Sequence, residues 1–352
     1  MNRVRSRKGA PGIVEVAIRA GVSPATVSRF YNSPDKVRPG TRHRIEQSAR
    51  DLGYIRDRMA GSMHSRFSGT IGLIVPTLNN AIFAELADSF SRQLGSHERT
   101  MLIACNNYDL DSEVDIVRSL LERRIDGIAL IGHDHTDTAL HMLSVRDIPV
   151  LSLWNYRKNA ELSTIGASNA EAGELATKHL LDLGHEQIAF MCSDTAINDR
   201  SRDRKMSALA TMKQHDITVS DDMILDCPYN TGIAKTIATA LIQQQQPTAI
   251  FCGNDVIAHG VVYAALALGI KIPEQLSVTG IGDFANSADM VPSLTTVRLP
   301  AKRIGQLAAD TIVAMSMARN QLPTTHSRLD CNLIVRESTC AVRANLIQQQ
   351  LT

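Results

Sequence analysis

Arg29, preceded by Thr26 and Ser28, brings together a cation and two hydroxyls of the kind that meet nucleic acid. A guanidinium can reach a base edge or a phosphate, and hydroxyls bind phosphate oxygens. The three residues lie in AIRAGVSPATVSRFY, residues 17–31. Ala17 is small enough to admit a second helix, and Gly21 suits a turn with positive φ. Val22 and Val27 are spaced to plug the junction. Ser23 is a natural N-cap, and Pro24 fits the first helical position. The pattern predicts two short helices joined by a tight turn, with Thr26, Ser28 and Arg29 facing outward, which is helix-turn-helix grammar. The alternative is an ordinary helical hairpin with a polar face. Flanking charge favours DNA: 14 of the 37 basic residues but only 5 of the 36 acidic ones lie in residues 1–66. That region therefore carries +9 and the rest −8, within a total of +1. A cationic head suits phosphates, and an acidic body does not.

Other chemistry-bearing groups point away from catalysis. His133, Asp134, His135, Asp137 and His141 could suggest a metal, but their spacing does not converge, and a ligand contact by His133 or His135 is the better functional reading beside a plain solvated loop. Gly280-Ile281-Gly282-Asp283-Phe284-Ala285 mimics a dinucleotide fingerprint, yet Pro292 and a strand-like run at 294–297 leave no room for the long helix that motif must open. No Walker A loop, HExxH or GxSxG occurs, and no nucleophile has a partner context. The sequence calls for no cofactor, no metal and no enzyme. The six cysteines lie far apart without a CxxC pair, several in apolar runs, which predicts buried free thiols. With no apolar segment after the basic N-terminus and no run of about 18 apolar residues, the expectation is a cytoplasmic protein without a membrane span.

The positioning elements follow from periodicity. After the helical pair, residues 41–52 place Ile45, Ala49 and Leu52 at helical spacing, with Gly53 as C-cap, completing a three-helix headpiece. A basic connector follows, with a short helix around 57–65. From residue 68, aliphatic runs at 71–75, 101–105, 127–131, 150–153, 188–191, 249–252 and 278–281 alternate with amphipathic stretches at 82–94, 113–123, 138–145, 170–183, 202–215, 233–243, 256–268 and 301–318. Strand–helix alternation means parallel sheets with right-handed crossovers. The strands are too many for one sheet, so two doubly wound α/β lobes are expected, with a ligand cleft at the strand C-termini.

AGVSPATVSR, DLGY at 51–54, LGHEQIAF at 183–190, NDRSRDR at 198–204, CGNDVIAHG at 252–260 and PSLTTVRLP at 292–300, in this order, resemble the lac repressor (LacI/GalR) family over nearly the whole chain. The resemblance implies a headpiece at 1–53, a hinge at 54–68 and a body of periplasmic-binding-protein type at 69–345. Its first lobe would comprise 69–166 and 298–325, its second 167–297 and 326–342. It implies that Pro24, Ala25 and Arg29 read bases, while Ser23, Thr26, Ser28 and Asn32 bind phosphate. Met63 would wedge into the minor groove, with Ala60 one turn before it. Arg56-Asp57 departs from the usual Pro-Asn there. In the cleft the resemblance implies that Asn80, Phe83, Arg204, Asn254 and Asp283 meet a small ligand, with Tyr229 closing over it; His133, whose stretch follows a cleft-facing strand, is a further candidate contact. Gly282 stands where many members carry the acid, which displaces Asp283 by one position.

The implied function is a dimeric (or tetrameric) transcription regulator, most often a repressor in this family, whose affinity for double-stranded operator DNA is set by a sugar or sugar-acid effector. The alternatives are a sugar-binding transport or chemoreception protein, and a corepressor-dependent regulator. The run LIQQQL at 346–351 is too short for a tetramerising zipper.

Overall fold

The computed structural model describes residues 11–55, 67–318 and 322–342. The chain divides into two units, residues 1–68 and 69–352. Ala60, Met63 and the expected hinge helix fall outside the described residues.

The first unit holds α1 (Ile13–Ala20), α2 (Pro24–Asn32) and α3 (Pro39–Leu52). Gly21, at φ 62°, ends α1, and Val22 N–H returns to the Ala17 carbonyl at 3.0 Å. Such a left-handed cap reverses the chain within two residues. The Ser23 hydroxyl then accepts from Thr26 N–H at 3.2 Å and starts α2, with Pro24 at its first position. Val16, Ala17, Ala20, Val27, Ile45 and Ala49 form the core, flanked by Val22, Phe30 and Tyr54. Arg19 pairs with Asp51 at 2.8 Å and ties α1 to α3. This packing leaves one face of α2 outward.

The second unit contains two six-stranded sheets. The first sheet is built from β1 (Thr70–Val75), β2 (Thr100–Cys105), β3 (Gly127–Ile131), β4 (Val150–Asn155), β5 (Ser163–Ala167) and β11 (His326–Leu329), in the order β11-β5-β4-β3-β1-β2. All its pairings are parallel. The second comprises β6 (Ile188–Cys192), β7 (Ile224–Asp226), β8 (Ala249–Cys252), β9 (Ser277–Gly282), β10 (Thr295–Arg298) and β12 (Asn332–Ile334), ordered β12-β10-β9-β8-β6-β7. Only β12 runs antiparallel, against β10. The central aliphatic runs are buried on both faces, as strands covered by helices on either side must be, whereas the run at 101–105, on the edge strand β2, is half-buried.

Those helices are α4 (Ala81–Ser96), α5 (Leu110–Glu122), α6 (Asp137–Val145), α7 (Asn169–Asp182), α8 (Asp199–Gln214), α9 (Thr231–Gln245), α10 (Asp255–Leu268) and α11 (Ala301–Ala318). The closest pairs are α4 with α11, α7 with α8, and α9 with α10. The chain passes between the lobes three times: from β5 to α7, from β10 to α11, and from β11 to β12. The expected lobe boundaries shift by one residue at Ala167, which ends β5, and at Arg298, which ends β10, and are corrected by a whole strand at one place. Residues 326–329 belong to the first lobe, because β11 pairs with β5 from His326 opposite Thr164 to Leu329 opposite Ala167. No long helix follows Gly282; a single helical turn, Ala285–Ser287, takes its place. Among the described residues, no helix is long and apolar enough to cross a membrane.

Candidate functional site

On α2, Ser23, Pro24, Ala25, Arg29 and Asn32 are exposed, and Thr26 and Ser28 are half-buried. Val27 points inward and is fully buried, so it fixes the rotation of the helix. Ser23 is committed to capping, its hydroxyl lying 2.9 Å from that of Thr26. Asn32 donates to the Ser28 hydroxyl at 3.3 Å. Among the described residues nothing tethers Arg29 in this way, and it is exposed.

In the second unit, strand C-termini and helix N-termini converge on a cleft between the two lobes. Asn80 caps α4 and Asn254 caps α10, through side-chain oxygens that accept from Ile82 and Ile257 N–H. The Nδ2 of Asn254 is buried without a hydrogen-bond partner among the described residues. A buried amide in that state costs free energy unless a ligand accepts from it.

The cleft has two chambers. An outer vestibule of about 680 Å³ is lined by Thr77, Asn79, Asn107, Asp194, Asn198 and Asn230, among others. An inner chamber of about 20 Å³, room for one water, is lined by Phe83, Trp154, Arg200, Arg204, Asn254 and Phe284. Asn80, Tyr108 and Tyr229 line both and form the partition. The two tyrosine rings lie 5.9 Å apart, tilted by 53°, one carried by each lobe. Phe83 packs edge-on to Trp154 at 5.7 Å.

Arg204 is 5% exposed. Its Nε donates to Asn169 Oδ1 at 2.7 Å and its NH1 to the Gly253 carbonyl at 2.7 Å. Desolvation lowers its pKa, because no carboxylate compensates the charge. Arg200, by contrast, pairs with Asp199 at 2.8 Å and donates to the Ile131 carbonyl across the cleft. Burial pushes the Asp199 carboxyl up, but Arg200 and the Asn155 amide more than reverse this and leave it below its ordinary value. Among the described residues, no carboxylate lines the inner chamber.

The structure therefore brings Asn80, Phe83, Arg204, Tyr229 and Asn254 together and leaves two expected residues out. Asp283 turns away from the cleft. Its carboxylate is shared by Arg336, at 2.6 Å, and Arg298. The extra residue, Gly282, carries the chain on at φ 140° and delivers the acid to Arg298 and Arg336. His133 lines neither chamber. Its ring Nε2 donates to the Asn155 carbonyl at 2.7 Å, and burial lowers its pKa. The neighbouring polar residues are likewise spoken for. His135 lies 2.9 Å from Glu113, and Asp134 holds Arg202 through two contacts of 2.8 and 3.0 Å. Asp255 is a structural acid: it receives Thr296, Ser287 and Phe284 N–H, and burial raises its pKa despite those three bonds.

With the geometry in place, similarity to known proteins adds the family. Residues 12–57 match the bacterial regulatory proteins of the lacI family, and residues 177–339 a periplasmic binding protein-like domain. The HTH-type transcriptional repressor PurR of Vibrio cholerae is 31% identical over 304 residues, 86% of this chain and 90% of that protein. The chain belongs to the lacI family of bacterial regulatory proteins. The HTH-type transcriptional regulator GntR of Pseudomonas aeruginosa is 29% identical over 332 residues, 94% of this chain and 96% of its own length. The solved lac repressor dimer bound to operator and an anti-inducer superposes with a TM-score of 0.84 at 22% identity, over 95% of this chain and 100% of that one. As a lacI-family member the protein is a sequence-specific DNA-binding transcription regulator, with a helix-turn-helix headpiece and a periplasmic-binding-protein-like body.

Three cleft residues, Tyr108, Trp154 and Arg200, escaped the sequence reading, as did Asn155 and Asn169, which lie behind Arg204 and line neither chamber. Tyr108 follows β2 directly, so the rule that loops after parallel strands face the cleft could have found it. Arg200 lies within the same NDRSRDR motif as Arg204. Trp154 and Asn155 have no such signal, because they belong to the strand itself.

Proposed function

We propose that the effector is a polyhydroxylated carboxylate, a sugar acid of the gluconate type, and that it sets the affinity of a homodimer for operator DNA. The single observation that carries this is Arg204: a buried guanidinium with no acid of its own, while Asp283 faces away. A buried cation without a counter-charge is costly, and an anionic ligand removes that cost with charge-assisted, bidentate bonds. Asn80 and the unpartnered amide of Asn254 suit hydroxyls, and Phe83 and Tyr229 supply apolar faces for the ligand's C–H groups. Closure of the lobes around the ligand then shifts the population between operator-competent and incompetent arrangements.

On the DNA side, Arg29 reads a base edge and Ser23, Thr26, Ser28 and Asn32 set register on phosphates, with Pro24 and Ala25 able to touch a thymine methyl. The corepressor-dependent alternative, that of purine-responsive family members, makes a purine the other candidate ligand. The spacing of Tyr108 and Tyr229, 5.9 Å, is short of the roughly 7 Å that a base stacked between two rings requires at ordinary contact distances. Calorimetry on the full chain with D-gluconate, D-glucose and guanine tests the reading. Gluconate alone should bind, and Arg204→Gln should abolish its binding. Binding of guanine or glucose in preference to gluconate would overturn it.

A further inference from the structure

We propose that Asn155 and Asn169 are positioning residues that couple the ligand-facing Arg204 to the contact between the lobes; this rests on Arg204 meeting the effector. Asn155 ends β4 in the first lobe, yet all three of its side-chain hydrogen bonds go to the second. Its Oδ1 accepts from Asn169 Nδ2 at 3.0 Å, and its Nδ2 donates to Asp199 at 2.9 Å and to Asp203 at 2.7 Å. Asn169 in turn accepts from Arg204 Nε at 2.7 Å. The chemistry of the ends fixes the direction of the whole series. Arginine can only donate and a carboxylate can only accept, so each amide has one orientation that satisfies both neighbours.

The series is placed where motion must occur. Asn169 is the first residue of α7, directly after the chain's first passage between lobes. Asn155, Asn169 and Asp199 are all at most 1% exposed, so separation of the lobes leaves donors and acceptors unsatisfied in a dry interior. Trp154, at φ 83°, sets the direction in which Asn155 leaves the strand. Arg157 lies 3.8 Å from Asp203, which reinforces the acidic end. An anion on Arg204 competes for the guanidinium donors and so alters the polarisation of both amides. Occupancy of the cleft and the strength of the inter-lobe latch are thereby linked, and linkage is reciprocal.

Two measurements on the full chain test this. In a double-mutant cycle, the unfolding constants of Asn155→Ala and Arg204→Gln should combine non-additively by about fivefold, although the two side chains share no bond. Additive effects would overturn the proposal. Asp203→Asn, at a partly exposed carboxylate, replaces Asn155→Ala in the cycle if that variant does not fold. In the second measurement, operator affinity is read on duplexes selected by the wild-type chain from a random pool, with and without D-gluconate. Wild type should show a ratio of about tenfold or more. Asn155→Ala and Asp203→Asn should bring it within about twofold, with gluconate affinity changed less than about threefold. Asn169→Asp should weaken gluconate about tenfold, because its carboxylate would occupy the cation. A folded Asn155 variant that keeps the wild-type ratio would overturn the coupling. If wild type itself does not bind gluconate, the ligand reading falls, and the cycle alone decides the relay.

Discussion

A β-carbon on Gly166 would lie 2.5 Å from both the carbonyl carbon and the carbonyl oxygen of Trp154. The two residues face each other in the β4–β5 pairing. Trp154 holds a positive φ that a tryptophan rarely adopts, and the bare backbone of Gly166 is what admits it. Gly166→Ala should therefore destabilise the body by roughly 1–3 kcal/mol through overpacking. It should also weaken effector binding, since Trp154 and Phe83 are wall residues of the inner chamber. Thermal unfolding and calorimetry on the same preparation check both; an unchanged melting temperature contradicts the close approach.

Arg29→Ala should reduce discrimination between operator and a variant lacking one guanine by about 1–3 kcal/mol, the value of a bidentate contact. The headpiece fold should persist, because Arg29 is exposed and contributes nothing to the Val16–Val27–Ile45 core. Competition gel shifts at fixed salt read the discrimination, and undiminished preference removes Arg29 from base readout.

Asp283→Asn separates the Asp283–Arg298–Arg336 cluster from the cleft. It leaves Arg298 and Arg336 without their shared carboxylate and should cost roughly 2–4 kcal/mol, in line with breaking a largely buried pair. Effector affinity should change by less than about threefold, because the carboxylate points away from the ligand. A large loss of affinity at unchanged stability would place Asp283 back in the cleft.

Stability should fall as pH drops below about 6.5. Burial lowers the pKa of His133, His179 and His185 from the ordinary 6.5. Below that value the unfolded chain takes up protons that the folded histidines refuse, so the unfolded state binds more protons and folding weakens until the folded pKa values are reached. Denaturant unfolding at pH 7.5, 6.5 and 5.5 measures the slope. His185→Gln should flatten it, and a flat wild-type profile contradicts the burial of these rings.

The alternation of strands and helices was readable because strands covered on both faces need continuous aliphatic runs, and helices at 82–94 or 301–318 need a 3.6-residue stripe. The α2 boundaries were readable from Gly21, Ser23 and Pro24, whose backbone roles are local. What escaped reading depends on distant partners. β5 is Ser-Thr-Ile-Gly-Ala, polar and small in sequence yet wholly buried, because Gly166 must lie against Trp154. β11 is an edge strand of four residues whose membership is set by β5, more than 150 residues earlier in the chain. The direction of Asp283 is decided by Arg298 and Arg336, which no local pattern connects to it. Tyr108 reaches the cleft through a positive φ of 60°, a conformation that its side chain does not announce.

The order in which strands enter the two sheets also governs synthesis. The first sheet waits for β11 and the second for β12, so both lobes stay unfinished until residue 334 has left the ribosome. From residue 167 until residue 326 the edge of β5 would be a bare template for another nascent chain, and from residue 298 until residue 332 that of β10 would be another. A ribosome stalled before β11 and β12 would thus hold two open sheets, which gives residues 326–334 the work of sealing the molecule against aggregation.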